Sequence, residues 1–251
     1  MFSTKTAYFS NYRVQTSFRW ISFCCLILGA TACSSSDGDN FVRVRERFTK
    51  EYFQILPEEA PPSIQVNNGT FGKLFMPSAE NLLVLQDFYK TQRSTLQDID
   101  FHSLGDQHQA EYQKMVGILR SVYGYLSGFR NHPQYFNVQN SLQRSFVKQY
   151  SAQQQLDATI LKLQQIPAYY DAAKSHLVGS SMGDAATAVE QHIKTYQLLD
   201  QNIATYLRNQ EQMTPEVENL LYYAKIAVKD YIAYCKSLEY EAKTMQANFR
   251  Q

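Results

Sequence analysis

Apolar residues along this chain recur in steps of three and four, and nowhere in the alternating step of a strand. From Asp39 to Leu56 the stripe is Phe41, Val44, Phe48, Tyr52 and Ile55. Pro57, Pro61 and Pro62 end it, because proline lacks the amide a helix needs. Residues 57–77 then read as a Pro/Gly/Asn-rich connection. Ser78 is placed to cap a helix whose face is Leu82, Leu85, Phe88 or Tyr89, and Leu96. Asp106 opens the next, with Tyr112, Met115 or Val116, Leu119, Val122 or Tyr123, Leu126 and Phe129, and Asn131-His132-Pro133 stops it. A further helix is expected from about Val138 to Gln165, broken at Pro167, with a short segment on to Leu177. After Gly179 and Gly183 comes a stripe of Val189, Ile193, Tyr196, Leu199, Ile203 and Tyr206 or Leu207. Thr214-Pro215 restarts the chain into a last helix, from Val217 through Leu220 or Leu221, Ala224, Ala227 or Val228, Tyr231, Tyr234 or Cys235 and Leu238 to Met245. Helices striped like this must bury their faces on one another. The pattern therefore predicts an all-α fold, an antiparallel bundle of about six to eight helices.

The first 32 residues break this pattern. Residues 1–19 carry Lys5 and Arg13 and Arg19 with no acid, and Trp20 to Ala30 is an apolar stretch with Ser22 its one hydroxyl. Eleven residues are too few to cross a bilayer core, which takes roughly 20, but suit the apolar region of a secretion signal. Ala30-Thr31-Ala32-Cys33 follows at once and resembles the lipobox of bacterial lipoproteins, departing from it where Ala30 stands in place of the commoner Leu. The resemblance implies cleavage before Cys33, acyl chains on its thiol and a membrane as partner. The competing reading is an ordinary signal cut nearby, with Cys33 merely trailing. Ser34, rather than Asp, after the cysteine implies the outer membrane more than the inner. The polar run to Asn40 reads as a flexible tether. The expected organisation is thus a signal at 1–32, lipidated Cys33 and tether at 33–40, and one helical domain at 41–251.

Charge and cysteine usage change little in that picture. The whole chain is +1, and the signal alone holds +3, which leaves −2 for the remainder. Such a domain has no electrostatic footprint for nucleic acid. Cys24 and Cys25 lie in the signal and Cys33 would be alkylated, so Cys235 has no disulfide partner. The 18 Tyr and 15 Phe argue against a disordered chain.

Candidate chemistry is sparse. His102, His108, His132, His176 and His192 form no H-E-x-x-H pair and none lies four residues from another. His102 and His108 are expected to be solvated, and His192 to be a hydrogen-bonded structural histidine. Paired cysteines for zinc, a G-x-S-x-G elbow and a phosphate-binding glycine loop are not found. Asn68-Gly69-Thr70 is read as loop rather than a glycosylation site. Glu239 and Glu241 point to different faces of a helix. Tyr222, Tyr223, Tyr231, Tyr234 and Tyr240 are read as core with hydroxyls at its margin, the other reading being a ligand groove. No catalytic residue, metal ligand or cofactor is expected, and the ligand-binding residues are unknown.

The order of features resembles the N-terminal half of the bacterial domain-of-unknown-function family 885. The matching pieces are the helix, proline and loop from Phe48 to Gly72, the turn Ile99-Asp100-Phe101-His102-Ser103-Leu104, the stop His132-Pro133-Gln134-Tyr135, the break Leu163-Gln164-Gln165-Ile166-Pro167, and the pattern from Ala224 to Leu238. Full-length members resemble zinc metallopeptidases whose presumed metal site lies in a C-terminal half. The resemblance therefore implies a helical fold and carries no catalytic residue onto this chain. Two functions follow as expectations. One is a non-catalytic lipoprotein that binds or scaffolds an envelope partner. The other is the N-terminal part of a split metallopeptidase-like enzyme completed by another chain.

Overall fold

The computed structural model describes residues 36–61 and 72–248, and among them there are helices and no strand. They form an all-α bundle. Helix α1 is Ser36–Ile55, α2 Ala79–Gln97 and α3 Asp106–Gly128. Helix α4 is the short Gln139–Arg144, and α5 is Ala152–His176. Helix α6, Met182–Gln197, runs through a π-helical turn, Leu198–Ile203, into α7, Ala204–Asn209. Helix α8, Pro215–Asn248, closes the chain at about 51 Å long.

The buried residues fall into two clusters. The N-terminal one joins α1, α2 and α3 through Phe41, Phe48, Tyr52, Leu85, Phe88, Met115 and Leu119. The C-terminal one joins α5, α6, α7 and α8 through Leu163, Ile166, Tyr170, Leu199, Leu207, Val228 and Tyr231. The strap from Gly72 to Pro77 crosses between them, with Leu74 in the C-terminal cluster and Phe75 in the N-terminal one. Gly72 holds φ at +75°, and a Cβ there would meet the Ala158 backbone at 2.9 Å. Only glycine lets the strap lie this close to α5.

Several expectations need correction. Ser36 to Asn40 belong to α1, so the helical part of the chain starts inside the expected tether. The helix predicted from Val138 to Gln165 is two helices, because Ser145 and Tyr150 are buried in the turn between them and Ser151 restarts the chain with a capping box to Gln154. Pro167 does not break α5, which continues to His176. Leu163, Ile166, Tyr170 and Ala173, all fully buried, flank it. At about 1.5–3 kcal/mol for each large apolar side chain, this burial outweighs the roughly 3 kcal/mol a mid-helix proline costs. Thr214, Ser78 and Asp106 start or cap helices as the sequence predicts.

Candidate functional site

Polar groups gather at three places. The first lies where the two clusters meet. After α1 the chain turns through Pro57–Glu59, with Pro57 buried, which brings two glutamates against α4 and α5. Glu58 Oε2 accepts the Phe75 N–H at 2.6 Å. Arg144 donates to the Glu58 carbonyl at 2.8 Å and to Glu59 Oε2 at 2.6 Å. Lys162 on α5 is 4% exposed and donates to the Ser141 carbonyl at 2.5 Å and to Ser145 Oγ at 3.0 Å. Gln165, one turn on, accepts the Leu74 N–H at 2.8 Å.

Burial sets the charges here. It pushes the Glu58 carboxyl up to about 7, aided by the like charge of Glu59. It pulls the Lys162 ammonium down to about 8, against the attraction of Glu58. Burial also raises Glu59, while Arg144 draws it back. The hydroxyls of Tyr52, Tyr125 and Tyr169 around them are raised by burial and by neighbouring carboxylates, so they stay protonated donors. A carboxylic acid and an amine with displaced affinities are what an acid–base site requires. Here the amine spends two of its three protons inside the fold, and the Glu58 carboxylate is held on a backbone amide. The arrangement ties the segment after α1 to α4 and α5.

The second place surrounds His192, fully buried on α6. Its Nδ1 lies 2.7 Å from the Ala188 carbonyl and its Nε2 2.8 Å from the Phe136 carbonyl. The rings of Tyr170 and Tyr231 pack on it at 5.5 and 4.7 Å. Tyr231 donates to the Pro133 carbonyl at 2.9 Å, and Thr195 to Asn137 Oδ1 at 2.9 Å. Together these side chains pin the irregular segment 133–138 onto α6 and α8. Burial lowers the imidazole's affinity for a proton, against the two carbonyls that favour it.

The third is nearer the surface. Asp184 on the first turn of α6 accepts from Gln134 at 2.8 Å and from Ser181 at 2.6 Å, and lies 3.3 Å from His132 Nδ1. Partial burial would raise Asp184, but these donors hold it below the usual carboxylate range. The serine hydroxyl faces the carboxylate and not the imidazole, so the trio is not wired as a nucleophile with its base.

The remaining sequence candidates are scattered. His102 is exposed, as expected. His108 is partly buried, its ring tilted against Phe41 and 3.2 Å from Glu111, which also takes Arg45 at 2.8 Å; it is therefore a paired rather than a solvated histidine. His176 packs edge-on against Phe129. No group of three or more His, Cys, Asp or Glu is placed to hold a metal among the described residues. Of the tyrosines read as core, Tyr231 is buried and Tyr234 partly so, while Tyr222, Tyr223 and Tyr240 are 54%, 59% and 72% exposed. Cys235 is buried, its thiol pushed up to about 12 by burial. Cys33 lies outside the described residues. The Glu58–Lys162 junction was not singled out from sequence. Its one signal is Lys162 lying among the apolar positions of α5.

No protein-family profile matches the chain, and no curated protein does. Among solved structures it is similar to a candidate lipoprotein of unknown function from Shewanella oneidensis, with a TM-score of 0.65 at 17% identity. The match covers 84% of this chain and 39% of the other, so this chain spans well under half the neighbour's length. At that identity the likeness establishes the shared helical fold.

Proposed function

We propose that this chain is a membrane-anchored bacterial lipoprotein, held through acyl chains on Cys33, whose helical domain binds or scaffolds an envelope partner. The observation that carries the anchor is Ala30-Thr31-Ala32-Cys33 directly after an 11-residue apolar run. The fold shared with a candidate lipoprotein supports it. Ser34 favours the outer membrane. The non-catalytic role rests on the polar clusters described above, in which Glu58, Lys162, His192 and Asp184 are held by intramolecular partners. Capture from detergent-solubilised envelope tests it. A stoichiometric partner that leaves with the wild-type protein supports a scaffold. Chelator-sensitive peptide cleavage by residues 34–251 alone, together with stoichiometric zinc, contradicts it.

The second reading keeps the resemblance to the N-terminal half of family 885: one part of a split zinc-metallopeptidase-like enzyme, its catalytic half on another chain. It rests on that resemblance alone. A co-purifying second polypeptide that carries zinc and restores peptide cleavage decides for it.

A further inference from the structure

Helix α1 begins at Ser36, three residues after Cys33. Even fully extended, three residues reach only about 11 Å. The start of α1 is also fixed to the body. Gly38 is buried and Phe41 is fully buried, with its ring 5.2 Å from that of His108 on the first turn of α3. Arg45 on the next turn of α1 is ion-paired to Glu111 at 2.8 Å. The connection between α2 and α3 therefore lies beside the start of α1. That connection is a built surface: Asp100 accepts the His102 N–H at 3.0 Å, Ser103 donates back to the Asp100 carbonyl at 2.8 Å, and Gln109 donates to the Leu104 carbonyl at 2.8 Å.

The C-terminal cluster attaches at the other end of this three-helix unit. The contacts between the two clusters lie there: Glu58 and Glu59 with Arg144, Tyr125 against Phe136 at 6.3 Å, and Phe129 against His176 at 5.8 Å. The 20 residues of α1 separate the two ends by about 30 Å.

We propose that the three-helix unit is a spacer, with its α2–α3 turn seated at the lipid headgroups and the C-terminal unit carried outward from them. The proposal rests on the lipid anchor at Cys33. The surface it meets is a zwitterionic leaflet, because the seated end exposes four carboxylates, Asp39, Asp98, Asp100 and Asp106, against the one cation Arg43 at the start of α1, and anionic lipid would repel the excess.

The test uses the full, lipidated chain in phosphatidylcholine vesicles that carry a nitroxide on the headgroup. A fluorophore is placed on a cysteine at the turn, His102→Cys, or on the C-terminal unit, Tyr222→Cys. Cys235 is buried, and the parent chain gives its background labelling. Nitroxide lipid should quench most of the emission at 102 and little at 222. Equal quenching at both positions, or none at 102, overturns the spacer. Acyl labelling of the same preparation separates this outcome from failure of the anchor itself. Replacing part of the phosphatidylcholine by an anionic lipid should weaken the quenching at 102; stronger quenching there overturns the zwitterionic assignment.

Discussion

The two halves of this molecule are filled by different chemistry. The N-terminal core is ringed by aromatics: Phe48 packs on Tyr52 and Phe88 at 6.2 and 5.3 Å, and Phe41 and Phe75 complete it. The C-terminal core is mostly aliphatic around one cluster of rings, Phe136, Tyr170 and Tyr231, with small residues such as Ala185, Ala188 and Ala224 and buried polar ones such as His192, Thr195 and Lys162. The first is held by shape and area, which tolerate no lost volume. The second also depends on hydrogen bonds to a segment, 133–138, that has few of its own. Such bonds matter most when broken, because the buried partner is left without water.

The largest break should come in the aromatic half. Phe48→Ala leaves a void where a ring met two others and should cost about 3–5 kcal/mol in urea unfolding. If the junction couples the halves, unfolding remains one transition; two transitions would show that they fold separately.

A smaller loss is expected in the other half. Tyr231→Phe keeps the ring on His192 but strips the donor from the Pro133 carbonyl, at about 1–3 kcal/mol. Hydrogen exchange should rise through residues 133–138 and stay level in α1 to α3. A uniform rise would contradict the pinning role.

The junction gives the comparison a pH axis. Glu58 binds its proton more tightly folded than unfolded, so its stabilisation is complete below about 4.5 and is lost as pH rises through about 7. Glu58→Gln should therefore gain on the wild type across that window, by roughly 1–3 kcal/mol at pH 8, and match it near pH 4. Burial lowers the proton affinity of His192, so its contribution has the opposite sign: present above about 6.5 and lost as pH falls below it. In the Glu58→Gln background, denaturation between pH 7.5 and 5 should leave that acid-side loss. The smallest effect is at the overhanging end of α8, where Met245 is 59% exposed; Met245→Ser should change stability by no more than about 0.5 kcal/mol.

This contrast also explains what the sequence disclosed. The aromatic half was legible because large apolar side chains mark its inner face; of the pair Phe88 or Tyr89, Phe88 faces in while Tyr89 stacks outside on Tyr123 at 5.5 Å. In α6 the expected stripe lies one residue off the buried one. Ile193 is 40% exposed, and the buried line is Ala185, Ala188, His192 and Thr195. Alanine and hydrogen-bonded polar residues carry little hydrophobic signal, and tertiary contacts chose them over isoleucine. The break before α5 was legible in principle, since Ser151 and Gln154 spell a capping box. Lys162 among the apolar positions of α5 marks a buried charge, but nothing local names Glu58 as its neighbour, because the two come from segments about a hundred residues apart.

The lipid anchor underlies both the proposed function and the spacer. It is tested most directly by metabolic labelling with an alkyne fatty acid in wild type and Cys33→Ser. Labelled wild type that partitions into detergent, alongside an unlabelled and unprocessed variant, is the expected result. Unlabelled wild-type protein in the soluble periplasmic fraction would contradict it.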